Sequence, residues 1–223
     1  YVWEGNYQYA DFDNPSPGVY VLKNTVPDNG TTRSTIQPGD IKLKDLNGDG
    51  TINSSDMTVI GRGQPIHIGG FSNDFTYKGF SLNLFFQWSY GNDIFNANNI
   101  LLEATSGANN QLKAGLGRWE GPGTSNTVPR AVFGDPNGNS QNSDRYIENG
   151  SYLRIRNITL GYTLPKLWAQ RIKFSAIRVY AAAENVYTFT KYTGIDPEVG
   201  VTGIDNDVYP LTRSIILGLC LCL

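Results

Sequence analysis

From position 80 to 90 the chain reads Phe80, Ser81, Leu82, Asn83, Leu84, Phe85, Phe86, Gln87, Trp88, Ser89, Tyr90. A β-strand sends successive side chains to opposite faces, so Phe80, Leu82, Leu84, Phe86, Trp88 and Tyr90 share one face and Ser81, Asn83, Phe85, Gln87 and Ser89 the other. An apolar row of this length, ending in two aromatics, must be covered by something apolar along its whole length. About 10 residues of such alternation take a tilted strand across a bilayer, so lipid is one cover. A facing sheet in a soluble β-sandwich is the other. Upstream, residues 68–77 carry Phe71, Phe75 and Tyr77 among Gly, Ser, Asn and Asp and meet the Phe80 strand through Lys78-Gly79, a two-residue hairpin turn.

Composition narrows the field. With 223 residues, 12% aromatic and only 17% charged, the chain suits one large or two small β-rich domains. A net charge of -2, with no basic run and no Gly-rich phosphate loop, sets nucleic acid aside as a partner. A mean hydropathy of -0.32 and the lack of any apolar run approaching about 18 residues exclude a membrane-spanning helix. They leave a barrel open, because barrel strands interleave their apolar residues with polar ones. The sequence opens on Tyr1 without an initiator Met, as expected of a processed or excerpted piece. Cys220 and Cys222, two apart in a strand-like stretch, point the same way and are expected to be small buried or lipid-facing hydrophobes, not a disulfide.

Three further strands are predicted, over 151–164, 174–189 and 211–223. In the first, Leu153 and Ile155 hold one phase and Ile158, Leu160, Tyr162 and Leu164 the other, so a bulge or a change of environment is expected near Asn157. Residues 1–44 read as loop with short strands such as 19–22, and 91–150 as a long polar loop with a short helix near 98–105. The connections therefore run long, very short, long, short, long, which puts every long loop at one end. Outer-membrane barrels alternate long outer loops with short inner turns, whereas a sandwich has no reason to sort its loops by length. Trp88 and Tyr90 at the loop end, with Tyr77, Tyr162 and Trp168 at the other, would form two aromatic girdles. Five strands cannot close a barrel, and open edges in lipid strand backbone polar groups, so further strands are expected outside this sequence.

One stretch carries chemistry. Residues 45–56 place Asp45, Asn47 and Asp49 at positions 1, 3 and 5 of a calcium-loop pattern, Gly50 at the sharp turn, the Thr51 carbonyl next and Asp56 at position 12. The expected cofactor is one structural calcium pinning a long loop, and a metal-free Gly/Asn/Asp turn is the other reading. Catalysis finds little support: His67 is the sole histidine, no Ser sits in a nucleophile elbow, and Asp196 with Glu198 in a Pro-containing loop are poor candidates for a glycosidase pair. Candidate contact residues for a substrate or partner are Trp119, Tyr192, Asp196, Glu198 and Tyr209, because aromatics beside polar groups suit sugar stacking or a protein interface.

Several stretches taken in order resemble a known family. They are Pro38-Gly39-Asp40-Ile41-Lys42 leading into 45–56, Gly69-Gly70-Phe71-Ser72-Asn73, Tyr77-Lys78-Gly79-Phe80 and Gly91-Asn92-Asp93. Asn149-Gly150-Ser151-Tyr152-Leu153-Arg154, the run 157–165, Tyr192-Thr193-Gly194, Asp196-Pro197-Glu198 and Tyr209-Pro210 continue it. The chain resembles the C-terminal portion of SusC/RagA-type TonB-dependent outer-membrane transporters. That resemblance implies an all-β fold in which 1–223 supplies the C-terminal strands and extracellular loops of a large antiparallel transmembrane β-barrel of about 22 strands. It also implies residence in the outer membrane, import of oligosaccharides or peptides, a SusD-like surface lipoprotein as partner, and coupling to the TonB complex through an N-terminal region outside this sequence. Such barrels usually end in an aromatic, and this sequence ends Cys220-Leu221-Cys222-Leu223. The competing reading is a secreted, calcium-stabilised β-sandwich that binds carbohydrate.

Overall fold

The computed structural model describes all 223 residues. The chain forms two compact units, one of residues 1–61, 95–147 and 204–207, the other of residues 62–94, 148–203 and 208–223.

The second unit is built on one antiparallel sheet of five strands: β1 (His67–Tyr77), β2 (Phe80–Tyr90), β3 (Tyr152–Thr163), β4 (Ala176–Thr190) and β5 (Ser214–Cys222). Each strand pairs with its sequence neighbour, so β1 and β5 are open edges and the sheet does not close on itself. Lys78 (φ 45°) and Gly79 (φ 86°) make the β1–β2 turn. Positive φ at both central residues gives the type I′ twist that lets two right-twisted strands join in two residues. A short helix, Lys166–Arg171, links β3 to β4. The long connections all leave from the other end.

Register sorts the side chains. The pairs Phe71/Phe86, Phe75/Leu82 and Tyr77/Phe80 tie β1 to β2, and Trp88/Leu153, Phe86/Ile155, Leu84/Ile158, Leu82/Leu160 and Phe80/Tyr162 tie β2 to β3. Leu153/Phe189, Ile155/Tyr187, Ile158/Ala183 and Tyr162/Val179 continue to β4, and Ala183/Ile215, Ala181/Leu217, Val179/Leu219 and Ile177/Leu221 to β5. Directly paired residues lie on the same side of a sheet, so one face is largely apolar from edge to edge, interrupted by Asn73 and, at the irregularity in β4, by Asn185. The other face holds Ser72, Asp74, Ser81, Asn83, Gln87, Arg154, Thr159, Arg178, Glu184 and Thr188.

The phase slip foreseen near Asn157 is a bulge. Ile155 pairs with Phe86 and Asn157 with Phe85, leaving Arg156 as an extra residue. One extra residue inverts the alternation, which is how Leu153 and Ile155 come to share a face with Ile158, Leu160 and Tyr162. Opposite it, β4 inserts Asn185 and Val186 between the residues paired to Ile155 and Asn157. Two extra residues preserve parity, so Val179 through Phe189 alternate without a break; Asn185 takes a φ of 50° to do it.

Two expectations are corrected. Cys220 and Cys222 pair with Arg178 and Ala176 on the polar side and are exposed free thiols, neither buried nor among the apolar row. The last strand begins at Ser214, not Leu211: Leu211 N donates to Asp196 and the Thr212 carbonyl accepts from Asn185 Nδ2 at 2.8 Å, so loop contacts take the place of the ladder there.

The first unit has little regular structure. Trp3–Asn6 pairs antiparallel with Ile41–Leu43, Phe12–Ser16 with Val19–Leu22, and Arg118–Trp119 runs parallel to Val128–Arg130. The expected short helix forms as Ala97–Leu102. Its core is small: Tyr7, Phe12, Leu22 and Ile36 in one cluster, Ile41, Leu43 and Ile52 in another. Buried polar groups do much of the joining. Asp40, fully buried, accepts from Arg130 Nε (2.6 Å), Asn137 Nδ2 (2.7 Å), Asn139 Nδ2 (3.1 Å) and Gln37 N (2.8 Å). A carboxylate out of water is tolerable only when its lone pairs are filled in this way.

Candidate functional site

In the sheet unit the polar face and the last loop meet at Arg154. Its guanidinium, almost fully buried, donates through Nη2 to Asp196 (2.6 Å), through Nη1 to Glu198 (2.7 Å) and through Nε to Thr188 Oγ1 (2.8 Å). Arg156, the bulge residue, reaches Glu198 at 3.3 Å, and Asp196 Oδ1 also accepts from Glu198 N at 2.9 Å. The planar fork of an arginine fits two carboxylates at once, so this cluster clamps the loop onto the start of β3. The Glu148 carboxylate does the same for Thr193, accepting from its N and Oγ1 at 2.8 Å each.

Beside the clamp lies a cavity of about 340 Å³, with Gln87, Ser89 and Tyr152 from the sheet and Pro197, Glu198 and Val201 from the loop among its lining. Gln87 Nε2 donates to the Tyr152 hydroxyl at 3.3 Å. This is a mainly apolar hollow with a carboxylate at its margin, in the size range of small-ligand pockets.

Of the five candidate contact residues, Asp196 and Glu198 are brought together, on Arg154. Tyr192 is buried in the same loop, while Tyr209 is 82% exposed. Trp119 belongs to the other unit, where it is buried, donates from Nε1 to Gln8 Oε1 at 3.2 Å and packs its ring against Tyr9. Arg154, Asp40 and Arg130 were not singled out from the sequence as site residues. The one available signal for Arg154 was an arginine on the polar side of a strand, with two acids in a later loop to receive it.

The 45–56 loop also lies in the first unit. Gly48 (φ 79°) and Gly50 (φ 83°) turn the chain as the calcium-loop pattern asks. Asp45 accepts from Gly48 N (2.6 Å) and Gly50 N (2.7 Å), and Asp49 accepts from Thr51 N (2.8 Å) and Asn47 Nδ2 (2.9 Å). Asp56, fully buried, accepts from Leu46 N and Asn53 N, each at 2.9 Å. Those backbone donors, Asn53 first, hold its carboxyl below the usual range, and the Asp45 side chain lies in hydrogen-bonding reach of it. The donors present are all hard oxygens, and two carboxylates stand side by side, which fits a cation. Three acidic groups do not converge on one point, since Asp49 is turned toward Asn47 and Thr51.

The apolar face of the sheet is uncovered: Leu217 is 80% exposed, Ile215 77% and Phe71 53%. A sandwich would have stacked a second sheet there, so the soluble β-sandwich reading fails. From Phe80 to Tyr90 the strand runs roughly 33 Å, and at a tilt of ~40° it rises about 25 Å, the height of a barrel's apolar band. Trp88, Tyr90 and His67 stand at one rim, with Tyr77, Phe80 and Tyr162 at the other. A one-layer wall, apolar on one side and polar on the other with its long loops at one end, defines a segment of an outer-membrane β-barrel.

Known proteins agree. No protein-family model matches the chain. It is 35% identical over 213 residues to TonB-dependent receptor P3 of Formosa agariphila, covering 91% of this chain and 21% of that protein. It is 33% identical over 204 residues to TonB-dependent receptor SusC of Bacteroides thetaiotaomicron, covering 91% of this chain and 19% of that protein. Among solved structures, the RagAB peptide importer in its closed-closed state matches 99% of the chain and 22% of its own with a TM-score of 0.70 at 24% identity, a likeness of fold. The chain thus spans about a fifth of the length of the curated relatives it matches. It belongs to the TonB-dependent receptors of the SusC/RagA type, which are outer-membrane proteins.

Proposed function

We propose that this chain forms the C-terminal barrel wall and outer loops of an importer that takes up oligosaccharides or peptides, with a SusD-like surface lipoprotein closing over the loops and energy arriving from the TonB complex through another part of the receptor. The observation that carries this is the sorting of the sheet into a lipid face and a polar face with the clamped loop above it. The chain's work is binding and passage, not catalysis. Tyr209, exposed on the last loop, is the residue best placed to meet substrate or lid. Asp196 and Glu198, through Arg154, and the buried Tyr192 and Trp119 set the shapes of the loops that present such contacts. In the full receptor, Tyr209→Ala should weaken lipoprotein association or uptake while the amount of heat-modifiable barrel stays constant. Unchanged uptake and unchanged association would remove Tyr209 from the contact surface, and loss of neither in a Trp119→Ala, Tyr192→Ala double variant would remove the loops.

A structural calcium belongs to the same reading. Asp45, Asn47, Asp49, the Thr51 carbonyl and Asp56 would hold it, and its charge would offset the paired carboxylates of Asp45 and Asp56. The support is that pairing together with the spacing. Calcium should slow amide exchange in 45–56 and leave the barrel strands untouched; exchange indifferent to calcium and chelator would show the loop to be a metal-free turn.

A further inference from the structure

At the loop end of the apolar face, the sheet carries a groove of about 680 Å³. Its origin lies in the register. Leu153 stands between Trp88 on β2 and Phe189 on β4, so a short side chain is flanked by two large rings. Tyr90 extends one wall, and its ring stacks on His67 with centroids 5.2 Å apart. Trp88 Nε1 donates to His67 Nδ1 at 3.1 Å, which fixes the tautomer and leaves the Nε2–H as a donor. Lys191, Asn149 and Ser151 complete the mouth, and no carboxylate is among the lining residues. Glu148, the nearest acid in sequence, is spent on Thr193.

Three features bear on the occupant. The groove is continuous with the face that meets lipid, so its lower half is already in the membrane. It opens at the aromatic rim, the level of headgroups in the outer leaflet. Its only charged side chain is a cation, set among neutral donors and next to an aromatic ring that suits a sugar face. We propose that this groove seats one phosphorylated glycolipid of the outer leaflet, with an acyl chain on Leu153 between Trp88 and Phe189, its phosphate at Lys191, and its sugar across Ser151 and Asn149 toward His67.

The test uses the whole receptor, assembled and transferred to phosphatidylethanolamine nanodiscs, with native mass spectrometry counting bound molecules. Diphosphoryl lipid A, dephosphorylated lipid A and inorganic phosphate are the probes. The expected result is one retained diphosphoryl lipid A, weakened about fivefold by Lys191→Ala, the effect of one cation near a membrane surface. Leu153→Trp, which fills the floor without touching charge, should also displace it. Should Leu153→Trp fail to assemble, Lys191→Ala, beyond the end of β4, decides alone. Retention equal in Lys191→Ala and the parent would overturn the proposal. Equal retention of the dephosphorylated lipid would overturn it too, as would competition by inorganic phosphate at the concentration of the lipid, which would mark a free-anion site.

Discussion

The sheet and the loop-rich unit are held together by opposite means. In the sheet, ladder hydrogen bonds and one continuous apolar face do the work, and most partners are adjacent strands joined in order. In the other unit the apolar clusters are small, and segments about a hundred residues apart are joined by buried polar side chains such as Asp40 with Asn137 and Asn139. The contrast follows from surroundings. A strand in lipid can satisfy its backbone only through its neighbours, while an outer loop borders water and can afford polar crosslinks provided each is fully paired. Damage should therefore spread differently in the two regions.

The largest effect is expected in the loop unit. Asp40→Ala strips Arg130, Asn137 and Asn139 of their common acceptor and should cost about 3 to 5 kcal/mol of that unit's stability, as for other buried ion pairs broken on one side. Limited proteolysis should then cut within 1–61 or 95–147 while the heat-modifiable barrel stays intact. A barrel that fails along with the loops would show that the two regions do not fail separately.

Leu84→Arg, in the middle of the lipid face, should cost about 2 to 4 kcal/mol and lower the amount of assembled receptor in outer-membrane fractions. Asn83→Arg, one residue away among Ser72 and Asp74, should be tolerated. The reverse pattern would invert the two faces.

A smaller, local effect concerns acidity. The folded Asp56 carboxyl titrates below its ordinary 3.8, so its contribution is complete above that value and is lost as pH falls through the lower folded value. The protection of amides in 45–56, taken relative to the intrinsic exchange rate at each pH, should stay constant from neutrality down to about pH 4 and fall below it. Asp56→Asn should abolish that step; an acid step that survives the substitution would assign it to another carboxylate.

The same contrast governs what was legible in the sequence. The Phe80–Tyr90 strand was bounded to the residue, and the bulge at Arg156 was visible as a phase slip, because period-two patterning is a local signal and lipid enforces it. The side taken by Cys220 and Cys222 was misjudged because small residues are allowed on either face; only pairing with Arg178 and Ala176 decides it. The start of the last strand was misjudged because Leu211 continues the apolar run while its N–H is claimed by Asp196 from the loop. The Asp40 and Arg154 clusters left no trace in periodicity. Each joins residues far apart in the chain, and nothing in a single sequence says which Arg will find which Asp.

The central claim is that one face of this sheet meets lipid and that the bulge at Arg156 keeps it so. Spin labels placed singly at residues 153–160 of the full receptor in membranes, on a background lacking Cys220 and Cys222, test it through accessibility to oxygen and to a water-soluble nickel reagent. Positions 153, 155, 158 and 160 should be the oxygen-accessible ones, with the alternation inverting between 155 and 158. An alternation that runs through unchanged, with 155 and 157 alike, would contradict the account.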